Sequence, residues 1–240
     1  MIKKLFKNNY VNKSAVKNNF IMLFLYNLAY PTSLVFARFS IKPNAITSLS
    51  GLFALLALIF LIQPQEYLLF ILFWLIAMHL DFCDGTVARI SGNVSKKAFN
   101  YDHVSDLIKV SLVLLGVGIR YNTPLLWILS FSSLSLFLLM TILNHELGHY
   151  ISSSVVNTGK IKIPNGDNSW YKSRYEKLIR MPILRQCTTI IFTVNAHTLL
   201  GFIFLPFGQL YATPFLFYFC FINLYLCIRI TKKLMTIEIN

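Results

Sequence analysis

Six predominantly apolar stretches, at roughly 44–62, 67–89, 102–120, 124–144, 187–207 and 210–229, each approach the ~20 residues that a helix needs to cross a bilayer. In hydrocarbon, backbone N–H and C=O groups must find partners without water, so such runs fold as helices. The expected fold is therefore all-α, a polytopic membrane protein with six transmembrane helices. Composition agrees: 56% of residues are hydrophobic, 13% are charged, and the mean hydropathy is +0.61. Residues 20–38 are also apolar but are interrupted by Asn27, Pro31 and Arg38. They are expected to form an N-terminal amphipathic helix lying at the interface, with a further crossing as the rival reading. The chain is thus expected to divide into a basic tail with an interfacial helix (1–38) and a six-helix transmembrane domain (39–240). The N-terminal residues lack the pattern of a removable signal peptide.

The net charge of +13 would suggest nucleic acid in a soluble protein, but its distribution here argues for a membrane surface and against a nucleic-acid partner. With the N-terminus placed in the cytoplasm, every Lys and Arg except Arg120 and Lys109 falls on the inner side. Lys3, Lys4, Lys7, Lys13 and Lys17 lie in the tail, and the rest lie in the turns after 38 and 89, the 145–186 connection and the C-terminal end. This asymmetry predicts a multi-pass protein of the cell membrane, with a bacterial inner membrane as the expected setting and both termini inside. The basic loops also suit anionic membrane lipids. Cys83, Cys187, Cys220 and Cys227 show no CxxC spacing and read as packing residues.

Four of the five aspartates fall within 26 largely membrane-embedded residues: Asp81, Asp84, Asp102 and Asp106. Acids at membrane depth are costly and mark functional sites, and four together repel unless cations share the site. Asp81 and Asp84, at i and i+3, share a helix face near the end of the second span. Asp102 and Asp106, at i and i+4, share one at the start of the third. Antiparallel spans joined by a short polar loop bring both pairs to the same, cytoplasmic depth. A set of oxygen ligands without histidine or thiolate favours Mg2+ or Mn2+, and four carboxylates suffice for two ions, as in two-metal phosphoryl-transfer sites. Gly85 and Ala88 lie on the face of Asp81, small enough for a backbone or a phosphate to approach closely. Arg89, at the water boundary, suits two-pronged phosphate binding. The plainer alternative is that the acids cap helices or pair with Lys96, Lys97 and Lys109. Lys109 lies one turn deeper than Asp106, placed to influence that acid or to pair with it.

These residues resemble the CDP-alcohol phosphatidyltransferase family, whose pattern is D-x2-D-G-x2-A-R, about eight residues, then G-x3-D-x3-D. Asp81, Asp84, Gly85, Ala88, Arg89, Asp102 and Asp106 match at the right spacing; Ala98 stands where the family has glycine. Pro43-Asn44-Ala45-Ile46-Thr47 opens the first span as in many members. The specific likeness covers 43–106. It implies transfer of a substituted phosphate from a CDP-linked alcohol, often CDP-diacylglycerol, to the hydroxyl of a second alcohol, with release of CMP. It further implies that Asp81, Asp84 and Asp102 are the main metal ligands, and that Asp106, also near one ion, is the base that takes the acceptor's proton. Asn44, Gly85, Ala88, Arg89 and Ala98 would surround the CDP part of the donor.

A competing signal is His145-Glu146-Leu147-Gly148-His149, an HExxH run that could hold zinc in an intramembrane protease. That reading needs a third ligand, and the spans after His149 contain no aspartate. An ion-coupled carrier is the other alternative, but carriers place acids near mid-membrane on several helices. Within the family reading, His145, Glu146, His149 and Arg180 become candidates for an acceptor pocket. Residues 170–185 are expected to form a surface helix with Tyr171, Tyr175, Leu178 and Ile179 on one face; Arg174, Arg180 and Arg185 are candidates to meet an anionic acceptor. Ser130, Ser132, Ser133 and Ser135 suit close helix packing, a homodimer contact included.

Overall fold

The computed structural model describes residues 19–92, 96–158, 182–194 and 196–238, and all of its regular elements are helices. Side chains are described except at 96–99, 149–158, 182–185, 196–197 and 237–238. The N-terminal lysines and residues 170–181 of the expected surface helix at 170–185, including Arg174 and Arg180, lie outside the described residues, as does the Arg185 side chain.

Helix α1 (Phe20–Arg38) opens with the Asn19 side chain accepting from the Met22 N–H at 3.2 Å, a helix cap of the usual kind. Helix α2 (Pro43–Ile62) begins with proline in its first turn, where the missing N–H would have no partner in any case. A four-residue turn leads to α3 (Tyr67–Ser91), which ends on Gly92 at φ 71°. That left-handed conformation suits glycine at a helix terminus. Helix α4 (Lys96–Tyr121) follows, then α5 (Pro124–Thr158), α6 (Pro182–Ile191), α7 (Ala196–Leu200), a 3-10 helix (Gly201–Phe207) and α8 (Gln209–Glu238).

By length and composition, five helical stretches can cross a membrane: α1, α2, α3, Pro124–Gly148 within α5, and Gln209–Thr236 within α8. Helix α4 is long enough, but Asp102, Asp106, Lys109 and Arg120 interrupt its apolar character. The expected span at 187–207 is present as a shorter apolar stretch, Thr198–Phe207, preceded by α6. The helical core thus agrees broadly with six spans.

The fifth span departs from a continuous rod. Helical structure stops at Ile191 and is described again from Ala196; between them Thr193 and Val194, residues of modest helix propensity, are not helical. At the break Tyr218 Oη of α8 donates to Ile191 O at 2.9 Å and the Thr198 hydroxyl to Thr193 O at 3.2 Å, and farther along the segment side chains from other helices reach its carbonyls. Trp74 Nε1 donates to Leu199 O at 2.9 Å, Tyr121 Oη to Leu205 O at 2.5 Å, and Arg120 to Pro206 O at 2.9 Å. Beside the break, Phe70, Trp74 and Phe202 stack in sequence, and Phe202 meets Phe215 and Phe219 edge-on. Gly201 is required here: a Cβ would lie 2.4 Å from the Phe215 ring.

Small buried residues on α2, among them Ser50, Ala54 and Ala57, let α3 and α4 pack closely against it. Because only a few residues separate α2 from α3 and α3 from α4, consecutive helices run antiparallel. The first turns of α2, the last turns of α3 and the first turns of α4 therefore meet at one end of the bundle, which is where the four aspartates lie.

Candidate active site

Three of the predicted acids converge. Asp81 from α3 and Asp102 and Asp106 from α4 each offer an oxygen within 4.8 Å of the others, and all three residues are half-buried. Helical spacing explains the α4 pair, and the few residues between Gly92 and Lys96 explain why α4 brings that pair back beside the acid of α3.

Asp84 is placed differently. It is only 3% exposed, and the Thr47 hydroxyl on α2 donates to its Oδ2 at 2.6 Å. It lies within electrostatic contact of Asp81 and Asp102, but outside the group of three mutually close oxygens. Thr47 was not singled out by its chemistry in the sequence, although it closes the Pro-Asn-Ala-Ile-Thr opening of α2. Thr47→Val removes the donor and keeps the shape. The expected result is about a tenfold loss of catalytic efficiency, because a buried carboxylate oxygen is left unpaired; an unchanged rate over a full metal titration would refute this role for Thr47.

Lys109 is buried among the acids, at 5% exposure. Its ammonium is ion-paired with Asp81 and lies 2.7 Å from Asp106 Oδ1. It also donates to Ser50 Oγ at 3.2 Å, and Ser50 donates onward to Ala77 O at 2.9 Å. Part of the plainer sequence reading therefore holds for Asp81 and Asp106, whose partner is Lys109.

On α3, Arg89 folds back along its own helix. Its Nη2 lies 3.4 Å from Thr86 Oγ1, and its guanidinium stands 5.2 Å from the centre of the Tyr26 ring of α1. Gly85 leaves room for it: a Cβ at Gly85 would meet Arg89 Nη1 at 3.3 Å and Nη2 at 3.4 Å. Tyr26, only 8% exposed, carried no sequence signal because it belongs to a different helix. Ala88 is half-buried on the same turn, and Asn44 is exposed in the first turn of α2. Nearby, Ser48 and Tyr101 share a hydrogen bond of 2.9 Å between α2 and α4. Ala98 is helical, with its side chain outside the described residues.

The acceptor-pocket candidates are only partly visible. His145 and Glu146 are exposed on α5, and His145 lies within electrostatic reach of His103 on α4. The His149 side chain and Arg180 lie outside the described residues. All four cysteines are free thiols.

The arrangement suits a divalent cation. Asp102 Oδ1 is buried and has no hydrogen-bond partner among the described residues, a costly condition unless something else binds it. Three convergent carboxylates provide the hard oxygen donors that Mg2+ and Mn2+ prefer.

An all-helical, apolar scaffold with carboxylates clustered at one end of its bundle defines the class: an integral membrane enzyme. The family model for CDP-alcohol phosphatidyltransferase matches residues 40–226, and the chain belongs to that family. Its members are CDP-alcohol phosphotransferases, which bind a CDP-alcohol donor and an alcohol acceptor. No curated protein matches the chain. The family assignment gives no support to the zinc-protease or carrier readings.

Proposed function

We propose that this enzyme transfers the phosphatidyl group of CDP-diacylglycerol to a hydroxyl acceptor and releases CMP, at the cytoplasmic face of the cell membrane. The observation that carries this reading is the convergence of oxygens from Asp81, Asp102 and Asp106, together with the buried Asp102 Oδ1 that has no hydrogen-bond partner among the described residues. Asp81, Asp84, Asp102 and Asp106 would hold two Mg2+ or Mn2+ ions. When bound, such ions neutralise the donor's diphosphate and the charge developing on the leaving CMP.

The remaining work falls to side chains of this protein. An alcohol is a poor nucleophile until a base removes its proton. Of the two acids paired with Lys109, Asp106 is the more exposed, with 36% of its side chain accessible against 22% for Asp81. An arriving acceptor can reach it, and it takes the hydroxyl proton as the acceptor oxygen bonds to phosphorus and the phosphorus–oxygen bond to CMP breaks. Arg89 offers its planar guanidinium to the donor's phosphates, with Gly85 leaving the space and Ala88 and Ala98 keeping the approach narrow. Asn44, at the exposed start of α2, borders the nucleotide. His145, Glu146, His149 and Arg180 would face the acceptor. The basic residues expected on the inner side favour the anionic headgroups around such a site.

The direct test is incubation of purified enzyme with CDP-diacylglycerol, Mg2+ or Mn2+, and a panel of alcohols: glycerol phosphate, inositol, inositol phosphate, serine and small amino alcohols. CMP release is expected with one class of acceptor and none is expected in EDTA. If CMP forms only from a CDP-alcohol without diacylglycerol, the proposed donor is wrong. If no CMP forms with any donor or acceptor, the activity itself is refuted.

A further inference from the structure

We infer that Lys109 is a tethered cation that competes with divalent ions for the carboxylates and so sets how tightly the site holds metal. This rests on the metal-binding reading above and deepens it.

An ammonium can donate three hydrogen bonds. Lys109 has partners on three helices: Ser50 on α2, Asp81 on α3 and Asp106 on α4. With 7% of its side chain exposed, it does not stretch freely into water. Two of its partners, Asp81 and Asp106, belong to the group of three carboxylates with mutually close oxygens. A divalent ion that binds these two acids must therefore share their oxygens with the ammonium or displace it. Lys109 attracts Asp102 only at longer range, without a close ion pair, and the buried Asp102 Oδ1 remains available to an arriving ion.

The charge balance gives Lys109 two opposing effects. Four ionised carboxylates carry four negative charges, and Lys109 offsets one. Without metal it lessens their repulsion and favours the folded site. With metal it is a like charge beside the ion and weakens binding. A lysine present only for packing would stabilise the site without opposing metal. One charge a few ångströms away changes a carboxylate's affinity for a proton by about tenfold to a thousandfold. For a doubly charged ion at the same distance the effect is expected to be roughly tenfold or more.

The test compares wild-type enzyme with Lys109→Met, which keeps the length of the stem and removes the charge. Both are titrated with MnCl2 alone, following free Mn2+ by its electron paramagnetic resonance signal, and both are melted in EDTA. The variant is expected to bind Mn2+ at least about tenfold more tightly and to melt at a lower temperature than wild type in EDTA. Unchanged or weaker Mn2+ affinity in the variant, with wild type binding normally, overturns the role of Lys109 and leaves the metal site standing. Absence of Mn2+ binding by wild type overturns both. Should Lys109→Met give no monodisperse protein, Lys109→Met/Asp81→Asn removes both partners of the ion pair. Recovery of folded protein would then support the charge-offset role, and failure to recover it would overturn that role.

Discussion

Asp106→Asn is expected to abolish metal-dependent CMP release, with a loss of at least about a thousandfold. The substitution is nearly isosteric. The amide oxygen can still accept from Lys109, whose Nζ lies 2.7 Å from the native Oδ1, so the local fold should persist. The amide cannot take a proton at neutral pH, and it is a poorer ligand for a hard cation. Both changes act on the reaction. The measurement is steady-state CMP release by a variant shown to be monodisperse and to melt near wild type. Retention of more than about a tenth of the wild-type rate would remove Asp106 from the role of base, because a general base contributes about a hundredfold or more.

Arg120→Met is expected to act on stability rather than chemistry. At the end of the bundle away from the acids, the Arg120 guanidinium donates to Leu61 O at 2.7 Å, Gln63 O at 3.1 Å, Pro64 O at 3.1 Å and Pro206 O at 2.9 Å. The last carbonyls of a helix lack intrahelical partners, and a cation at that end also favours the helix dipole. One side chain therefore closes α2, holds the following turn and secures the 3-10 helix. Beside it, Tyr121 donates to Leu205 O and accepts from the Gly208 N–H at 3.0 Å. Replacing the guanidinium with a thioether is expected to cost about 3 kcal/mol, or roughly 10 °C in melting temperature. Below its own transition the variant should release CMP at a rate within about threefold of wild type, because Arg120 lies far along α4 from the acids. An unchanged melting temperature would show that water replaces these bonds without loss.

The helices and the acid cluster were legible because their signals are periodic and local. Long apolar runs dictate helices, and the i, i+3 and i, i+4 spacings place each aspartate pair on one face without knowledge of the tertiary fold. The partners of those acids were not legible in the same way. Thr47, Ser50 and Tyr26 come from helices whose rotation about their axes the sequence does not encode, and an isolated hydroxyl or ring in an apolar run carries no label. Lys109 was visible as an oddity within a span, and its proximity to Asp106 followed from helical spacing. Its pairing with Asp81 depended on how α3 and α4 face each other. Arg120 stood out in the charge distribution as the basic residue expected on the outer side, and the carbonyls it caps account for a cation at that end of the bundle. The interruption of the fifth span was missed because hydropathy averages over residues that interrupt a helix. The carbonyls there find partners in side chains, Tyr218 donating to Ile191 O and Thr198 to Thr193 O.

Helix α1 grips α3 over the turns that carry Asp81 and Asp84. Ser33 Oγ reaches Cys83 O at 3.5 Å, Cys83 Sγ reaches Ala29 O at 3.6 Å, His79 meets Thr32 at 3.0 Å, and the ring of Tyr26 stands beneath Arg89. A shortened protein starting at Pro43 would keep every carboxylate yet strip the backing from the rod that bears half of them. Trimming the apolar preamble to obtain a smaller catalyst would therefore loosen the very groups such an effort sought to preserve.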